Sequence, residues 1–510
     1  MVSETTKSIV AVKATPKGYQ ELGRLKILVN GTELFTSPSF SNGKLVVRDK
    51  KNLYCIDLSA SAATATPKAP ATPGAPDRVE TPPGRTALLT NEAAIAVAQP
   101  NKPVLPLAKV VSDASWQNQF QSNWPRFRGP DGSGFSPKAT APIAWDEQAK
   151  SGVLWKASIA QPGFNSPIVW GNRILISGGS AEKREVYCHD ATDGKLVWTR
   201  AVENLPGSPA KIPDISESAG YAAPTMATDG QLVYAMFADG DLAAVNFDGT
   251  IAWAKNLGVP KNQYGHAASL AVWRDKLIVQ LDQGDNQPAI SRLTLFEAAT
   301  GKLVWEQPRQ VSSSWASPIV VEAAGKTQII LAGLPWLAAY SFADGAELWK
   351  AGVLEGEVTP SPITASGLVC VANPNSALLA LRPDGTGDVT KTHVAWACEE
   401  NVPDSSSPTS NGELVFYVSS DGKGTCLDAK TGRKLWEHDF GTGIHASPGI
   451  AGSRIYVVST DGHGWVLQAG REYKELGRGA LNDKFYASPA FAGGRIYLRG
   501  NTSLYCIGEK

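Results

Sequence analysis

Short runs in which apolar and polar residues alternate occupy most of the chain, and glycine-containing turns separate them. The stretch 407–436 holds one complete unit of this pattern. Alternation at Leu414 and Phe416 is typical of a strand with one buried face, and Asn411-Gly412 favours a tight hairpin turn. A serine-proline pair opens the unit and Trp436 closes it. We interpret the unit as a four-stranded antiparallel sheet, which is too small to be stable alone.

The unit recurs eight times, and repeats of about 40 to 50 residues are typical of solenoids and propellers. The opening pairs are Ser166-Pro167, Ala223-Pro224, Ala268-Ser269, Ser317-Pro318, Ser361-Pro362, Ser407-Pro408, Ser447-Pro448 and Ser488-Pro489. The closing tryptophans are Trp198, Trp253, Trp305, Trp349, Trp396 and Trp436. Because these tryptophans share one repeat position, we expect them to pack between neighbouring sheets rather than to stack on a cofactor.

The two ends of the repeat array complement each other. The last unit ends after Leu504–Ile507, before it can supply a fourth strand. The stretch 153–156, which contains Trp155, has the pattern of a fourth strand but lies before the first unit. Pairing the two would close the ring and hide the sheet edges. The sequence therefore predicts an all-β fold, an eight-bladed β-propeller of four-stranded antiparallel blades over residues 151–510.

Composition excludes some classes of partner. The 510 residues carry a formal net charge of zero, and 19% of them are charged, whereas nucleic-acid binding usually requires a basic excess. No apolar stretch is long enough for a transmembrane helix. Of the six cysteines, Cys55, Cys188, Cys426 and Cys506 share one position on the third strand. Equivalent positions in separate blades should lie too far apart to bridge, so we expect buried thiols.

The first 58 residues contain a partial copy of the last repeat. Residues 1–17 show no signal-peptide pattern, and we expect a disordered start. Residues 18–58 nearly duplicate the pattern from Tyr473 to Ile507, so we interpret them as an orphan blade-like segment, the remnant of an upstream propeller whose earlier part this chain lacks. Its strand edges are expected to contact the propeller or another chain. A signal peptide could then have preceded the present start, and we expect a periplasmic or secreted protein.

Two segments separate the orphan blade from the repeats. Residues 59–111 are rich in Ala, Pro and Thr and are expected to form an extended linker. Residues 112–150 form a non-repetitive lead-in, in which the sequence WPRFRGPDGSG occupies 124–134. Two aromatic residues and two arginines among glycines and prolines indicate a segment pinned on the propeller surface.

The WPRFRGPDGSG segment, followed by repeats that end in D-x-x-T-G-x-x-x-W, resembles the pyrroloquinoline-quinone-like repeat propellers. This superfamily includes the quinoprotein alcohol dehydrogenases and the outer-membrane-assembly propeller lipoprotein. The resemblance spans residues 120–510 and the orphan blade, and the chain is similar to secreted propellers of the planctomycete type. It implies the fold, whereas function does not follow from it.

Quinone chemistry would require residues that the sequence does not match. The quinoprotein dehydrogenases that this chain resembles use a vicinal cysteine disulfide, a calcium ion held by acidic and amide side chains, and a catalytic aspartate. No two cysteines are adjacent here, and no set of Glu, Asn and Asp matches that calcium site. We therefore expect no cofactor and no catalytic residue, with quinone and calcium belonging only to the alternative of a quinone-dependent oxidoreductase.

Positions that vary between repeats point to a binding site instead. The residue two before each opening pair should lie at the channel mouth, and these residues mix aromatic rings, imidazoles and hydroxyls that can stack and hydrogen bond. They are Phe164, Tyr221, His266, Trp315, Thr359, Ser405, His445 and Tyr486. Turns between the second and third strands should lie on the same face and add Trp336, Asp421 and Asp461, although Asp-Gly is also ordinary turn chemistry. We expect no metal site. Two histidines with nearby aspartates could in principle bind a metal, so a metal site stays as a minor alternative.

These patterns together predict a non-catalytic, extracytoplasmic propeller that binds a protein, peptide or glycan at the channel mouth. A purely structural tandem-propeller module is a second alternative. The insertion 202–219 should overhang the same face, either as a lid or as a plain surface loop.

Overall fold

The computed structural model describes the backbone of six strands within residues 2–57 and the stretch 113–509, with gaps at 139, 212, 285–289 and 375. Side chains are described from residue 116 onward. The chain divides into two compact units, Met1–Thr90 and Asn91–Lys510, and each is described by itself.

The first unit contains two antiparallel three-stranded sheets. One consists of β1 (Val2–Ser3), β2 (Ser8–Thr15) and β3 (Gly18–Lys26), and the other of β4 (Ser39–Ser41), β5 (Lys44–Arg48) and β6 (Leu53–Asp57). Strand β2 falls within the predicted disordered start at 1–17, where consecutive apolar residues at 9–12 favour a strand that pairs with β3. The predicted linker at 59–111 lies outside the described residues.

The second unit begins with non-repetitive elements. They are α1 (Asp113–Ser122), β7 (Phe135–Ser136), β8 (Trp145–Asp146) and β9 (Val153–Ser158). Each of the three strands joins a sheet formed by residues far along the chain.

Eight sheets follow, each with four antiparallel strands in sequence order or nearly so. The first two consist of β10 (Ile168–Trp170), β11 (Arg173–Gly179), β12 (Arg184–Asp190) and β13 (Leu196–Ala201), then β14 (Ala227–Thr228), β15 (Leu232–Met236), β16 (Asp241–Asn246) and β17 (Ile251–Asn256). The next two consist of β18 (Ala271–Trp273), β19 (Lys276–Leu281), β20 (Ser291–Glu297) and β21 (Leu303–Arg309), then β22 (Ile319–Ala323), β23 (Lys326–Gly333), β24 (Trp336–Ser341) and β25 (Glu347–Gly352).

The second half continues the pattern with one insertion. The fifth sheet consists of β26 (Ile363–Ala365), β27 (Leu368–Ala372), β28 (Leu378–Leu381) and β30 (Val394–Cys398), while the intervening β29 (Gly387–Asp388) pairs parallel with β25 of the preceding sheet. The sixth consists of β31 (Thr409–Ser410), β32 (Leu414–Val418), β33 (Lys423–Asp428) and β34 (Lys434–Asp439). The last two contain β35 (Gly449–Ala451), β36 (Arg454–Val458), β37 (His463–Gln468) and β38 (Glu475–Ala480), then β39 (Ala490–Ala492), β40 (Arg495–Arg499) and β41 (Ser503–Ile507).

The last sheet takes its outer strand from the start of the array. Strand β9 pairs antiparallel with β41, and Trp155 lies opposite Cys506. The same tryptophan-cysteine pairing occurs in the first and sixth sheets, at Cys188 and Cys426. The predicted closure at 153–156 and the all-β propeller of four-stranded antiparallel blades are therefore confirmed.

Neighbouring sheets pack through the closing tryptophans. The Nε1 of Trp253 donates to the carbonyl oxygen of Ala298 in the next sheet at 2.9 Å. Its ring covers Gly301, which has a φ of 68°, and a Cβ there would lie 2.7 Å from the ring. Glycine is therefore required at this turn both for its positive φ and for the close approach of the indole. The same pattern occurs at Trp198, Trp305 and Trp396, so these tryptophans pack between blades as predicted.

The middle part of the lead-in runs along the channel, whereas Trp145–Asp146 joins the outer strand of the seventh sheet. We call residues 124–136 the channel segment. Backbone hydrogen bonds join Trp124 to Val169 of the first sheet and Gly134 to Ile450 of the seventh. Trp124, Arg126 and Arg128 are 1–3% exposed. The prediction of a surface-pinned segment is wrong, because the segment pairs with first strands all around the channel.

Candidate functional site

A closed ring of hydrogen bonds encircles the channel where the first strands begin. In each sheet one residue donates its backbone N–H to the side-chain oxygen of the corresponding residue in the next sheet, at 2.8–3.1 Å. The last member, Ser488, donates to the first, Ser166. We call these residues the hydroxyl ring: Ser166, Thr225, Ser269, Ser317, Ser361, Ser407, Ser447 and Ser488.

The hydroxyl ring lines a cavity of about 410 Å³ at the channel mouth, which we call the cup. The rest of its lining comes from the connections between blades, the insertion 202–219 and the channel segment. These lining residues are Phe127, Phe164, Ser218, Ala219, Ala223, Tyr264, Ala267, Trp315, Glu357, Thr359, Ser405, His445 and Tyr486.

The cup brings together six of the eight residues predicted at the channel mouth: Phe164, Trp315, Thr359, Ser405, His445 and Tyr486. Each lies two residues before its member of the hydroxyl ring. In the second and third repeats the ring member is Thr225 or Ser269, so the equivalent positions are Ala223 and Ala267. Both alanines line the cup. The assignments of Tyr221 and His266 to the mouth are therefore wrong, since they were counted from the wrong residue in the two irregular repeats.

His266 belongs to the protein interior. It is 3% exposed, and neither ring nitrogen has a hydrogen-bond partner among the described residues. Burial lowers the pKa of His266 to about 4, and the charge of Arg292 acts in the same direction. The imidazole is therefore neutral at pH 7 and acts as a packed side chain.

One side of the cup is a continuous aromatic wall. The rings of Phe164 and Tyr486 meet edge to face with centroids 5.4 Å apart. Tyr486 stacks on His445 at 5.8 Å, and His445 Nδ1 lies 3.2 Å from Ser405 Oγ. This wall presents ring faces and hydroxyl groups side by side, the combination that suits planar or sugar rings.

The opposite side has a different composition. Trp315 meets Tyr264 edge to face at 4.9 Å, and its Nε1 has no hydrogen-bond partner among the described residues. Ala223 and Ala267 leave space beside them, which Ser218 and Ala219 of the insertion partly border. The predicted position of the insertion is thus correct, while its role as a lid stays a prediction. Glu357 contributes the one carboxylate of the described lining.

The predicted turn residues do not line the cup. Trp336 packs against the third and fourth sheets, with Lys350 Nζ 5.0 Å from its ring centroid. Asp421 and Asp461 lie in exposed turns, and their carboxylates accept hydrogen bonds from Ser419 and Ser459 two residues before. Side-chain hydrogen bonding by Ser419 holds the pKa of Asp421 below its usual value. Both aspartates therefore have the turn-stabilising role that their Asp-Gly pattern also indicated.

Several lining residues escaped the sequence reasoning. Phe127 belongs to a motif that was recognised, but only the structure shows that it reaches the cup. Tyr264 and Glu357 lie before variable positions in connections of irregular length. Six members of the hydroxyl ring are the serines of the opening serine-proline pairs. The sequence indicated only that these pairs begin a strand, because proline suits a strand's first position, and gave no sign of the hydrogen-bonded ring.

The cup does not fit a quinone with calcium. Calcium prefers several carboxylate or amide oxygens, whereas Glu357 is the one carboxylate in the described lining and no amide side chain contributes. No group of three or more His, Cys, Asp or Glu suited to a metal occurs among the described residues. The cysteines whose side chains are described are free, and burial raises the pKa of Cys188, Cys370, Cys426 and Cys506 to about 12.

Comparison with known proteins supports the fold. The family described as "Outer membrane protein assembly factor BamB" matches residues 144–308, 289–405 and 388–472. Among curated protein sequences, none matches the chain. Within the part of the chain that the structure describes, no helix is long and apolar enough to cross a membrane.

Solved structures with the same fold have low sequence identity. BamB from Moraxella catarrhalis is 17% identical, with a TM-score of 0.51, and the match covers 69% of this chain and 98% of that one. A europium-containing methanol dehydrogenase is 12% identical with a TM-score of 0.57, covering 78% and 100%. A quinohemoprotein alcohol dehydrogenase from Comamonas testosteroni is 13% identical with a TM-score of 0.58, covering 78% and 83%. At these identities the likeness shows the fold alone.

Proposed function

The chain belongs to the family described as outer membrane protein assembly factor BamB, a group of PQQ-like repeat propellers, and from this premise we propose that it is a non-catalytic, extracytoplasmic binding module. Its cup binds a segment of a protein, peptide or glycan. The family description, an outer membrane assembly factor, supports a periplasmic or secreted location.

The observation that carries this proposal is the composition of the cup. Its volume of about 410 Å³ lies within the usual range for ligand sites, about 300–1,000 Å³. Aromatic rings line two sides, and hydroxyl groups form the base. This surface can stack against a ring and hydrogen bond to its substituents, as a sugar or an aromatic side chain requires.

The serine and histidine that meet in the cup wall argue against covalent catalysis. Ser405 Oγ and His445 Nδ1 are 3.2 Å apart, a spacing that a nucleophile and a base would have. An activated serine also needs a third group that orients the base. No carboxylate of the described residues makes a hydrogen bond or ion pair with His445, whose ring instead stacks on Tyr486. The pair is better suited to hydrogen bonding with a ligand.

The test is a binding screen of the full chain against glycan and peptide arrays, repeated with two tryptophan variants. Trp315→Ala removes a ring from the cup, and we expect hits to weaken tenfold or more, about 1.4 kcal/mol. Trp336→Ala removes the same side chain from outside the cup and should leave binding unchanged. Equal binding by both variants would place the ligand elsewhere.

The oxidoreductase alternative is tested separately. The chain is incubated with pyrroloquinoline quinone and calcium, desalted, and assayed for retained quinone and for dye-linked alcohol oxidation. We expect neither, because the cup lacks a calcium donor set. Turnover above a quinone-only control would replace the binding proposal with the enzymatic one.

A further inference from the structure

The hydroxyl ring holds unused hydrogen-bond donors. Each side-chain oxygen accepts a backbone N–H from the neighbouring sheet, which occupies one lone pair. A hydroxyl group can donate one hydrogen bond as well. None of the ring hydroxyls donates to another atom of the described residues. Ring members are 2–6% exposed and line the cup, so their hydroxyl protons are available to a molecule bound at its base.

Two buried arginines lie directly beneath the hydroxyl ring. Arg126 Nη2 donates to the carbonyl oxygen of Pro318 at 2.6 Å, and Arg128 Nη2 donates to that of Pro408. Each proline follows a ring serine, so the guanidinium groups lie about one strand residue deeper, a step of roughly 3.3 Å. Phe127, which stands between the two arginines in sequence, forms part of the cup lining.

These arginines are incompletely paired. Arg126 Nε, Arg128 Nε and Arg128 Nη1 have no acceptor among the described residues. Burial lowers the pKa of Arg126 to about 10 and that of Arg128 to about 9, while the negative charge of Asp131 partly opposes this by raising both values. Both groups stay charged at pH 7. A buried charge without a counterion costs several kcal/mol, and an anion nearby would recover part of that cost.

The charges around the site leave a positive balance. The charge of Asp131 acts on both arginines and raises their pKa values, while its Oδ1 accepts hydrogen bonds from the Ser133 backbone and hydroxyl. Glu357 lies at the exposed rim of the cup. Among the described residues, Asp131 is thus the one carboxylate whose charge offsets the two guanidinium groups.

We propose that the base of the cup is an oxyanion subsite, in which the hydroxyl ring donates hydrogen bonds to a carboxylate, phosphate or sulfate group and the two arginines supply the positive field. This inference rests on the proposed binding function and names the chemistry of the ligand: a ring-shaped body held by the aromatic wall, with an anionic substituent directed into the channel. Charge-assisted hydrogen bonds of this kind are shorter and about twice as strong as neutral ones.

The experiment is calorimetric titration of the full chain with acetate, inorganic phosphate and sulfate, and with acetamide as the neutral counterpart of acetate. We expect acetate to bind at least tenfold more tightly than acetamide. A preference for phosphate and sulfate over acetate would identify a tetrahedral group, and the reverse a carboxylate. Equal affinity for acetate and acetamide would overturn the inference.

Four variants locate the site, two of them as controls. Arg128→Gln should weaken anion binding at least tenfold, whereas Arg471→Gln, which removes an exposed arginine paired with Asp428, should not change it. Ser361→Ala deletes one ring hydroxyl and should weaken binding, while Ser361→Thr keeps the hydroxyl and should retain it. If Arg128→Gln does not fold, the Ser361 pair decides. Anion affinity unchanged in both Arg128→Gln and Ser361→Ala would overturn the inference.

Failure of this inference can be told apart from failure of the proposed function. Array ligands could lose their binding in Trp315→Ala and yet show no preference for anionic members. That result would support the cup as the binding site and would overturn only the oxyanion subsite. Array binding that is insensitive to Trp315→Ala would remove the cup as the binding site altogether.

Discussion

The interface between neighbouring blades and the wall of the cup each take one residue from every repeat, but only the interface keeps the same residue type. The wall of the cup here means the positions two residues before each member of the hydroxyl ring. Tryptophan closes the interface at nearly every blade, and its Nε1 reaches a carbonyl of the next sheet, as in Trp198 to Phe247, Trp396 to Ala429 and Trp436 to Gly470. The wall instead varies around the ring, from Phe164 through two alanines to Tyr486.

Packing explains this difference. The indole fills a space bounded by a glycine turn and by backbone that is nearly the same in every blade, so one side chain fits all of them. A wall residue faces solvent on one side, and its volume is not fixed by a neighbour. The exception at the interface supports this reasoning. Trp349 instead donates to Gln328 Oε1 within its own sheet, and it does so where β29 pairs with the outer strand, so that its surroundings differ from those of the other blades.

The largest expected effect comes from exchanging tryptophan for alanine at each place. Trp253→Ala removes a ring that is 5% exposed and should lower the free energy of unfolding by about 3–5 kcal/mol. Trp315→Ala makes the same change in the cup, where part of the ring faces the cavity, and should lower it by less. Urea unfolding followed by circular dichroism measures both. Equal losses would mean that the wall is as tightly packed as the interface.

A second test concerns His266, which was expected at the wall but is buried. Its pKa is about 4 in the folded protein and 6.5 as the ordinary value. Because the folded pKa is the lower one, the unfolded state takes up the proton first as pH falls below 6.5. Stability from the neutral imidazole is therefore present above pH 6.5 and lost as pH falls toward 4, by up to about 3 kcal/mol.

His266→Leu should remove this part of the acid sensitivity. We measure the free energy of unfolding of both proteins at pH 7 and at pH 4. The value for the unchanged protein minus the value for the variant should be lower at pH 4 than at pH 7. His463→Leu changes a histidine in an exposed turn and serves as the control. If His266→Leu retained the full loss of stability on acidification, His266 would not be a buried neutral group.

The sequence predicted the features that follow from local rules. Alternating apolar positions and glycine turns gave the strands, and the partial last repeat gave the closing strand at Val153–Ser158. Six wall residues were predicted correctly by taking the position two residues before the serine in each repeat that opens with a serine-proline pair. Tyr221 and His266 failed because their repeats lack a serine-proline pair, and only the hydrogen-bonded ring identifies Thr225 and Ser269 as the equivalents.

Non-local pairing was beyond such counting. The channel segment contacts strands more than a hundred residues away, as in Arg126 to Pro318 and Arg128 to Pro408. The parallel addition of Gly387–Asp388 to the fourth sheet is another case. Neither has a repeat signature, because each occurs once and depends on an edge or channel that exists only after the ring has closed.

The smallest expected effect separates two serines that lie two residues apart. Ser405 is a wall residue whose hydroxyl, among the described residues, meets His445 alone, in an exposed contact. Ser407 belongs to the hydroxyl ring, is 2% exposed, and accepts the backbone N–H of Ser361. Ser405→Ala should change the free energy of unfolding by less than about 0.5 kcal/mol. Ser407→Ala leaves a buried N–H without its acceptor and should cost about 1–3 kcal/mol.

Thermal and urea unfolding of the two variants measure this difference with the same atom deleted in both. Ser407→Thr keeps the acceptor oxygen, as Thr225 does naturally in the ring, and should restore most of the loss. If Ser407→Ala were as stable as Ser405→Ala, the ring would contribute little to closure. The distinction between a ring that holds the blades together and a wall that is free to vary would then fail, because both positions would tolerate change equally.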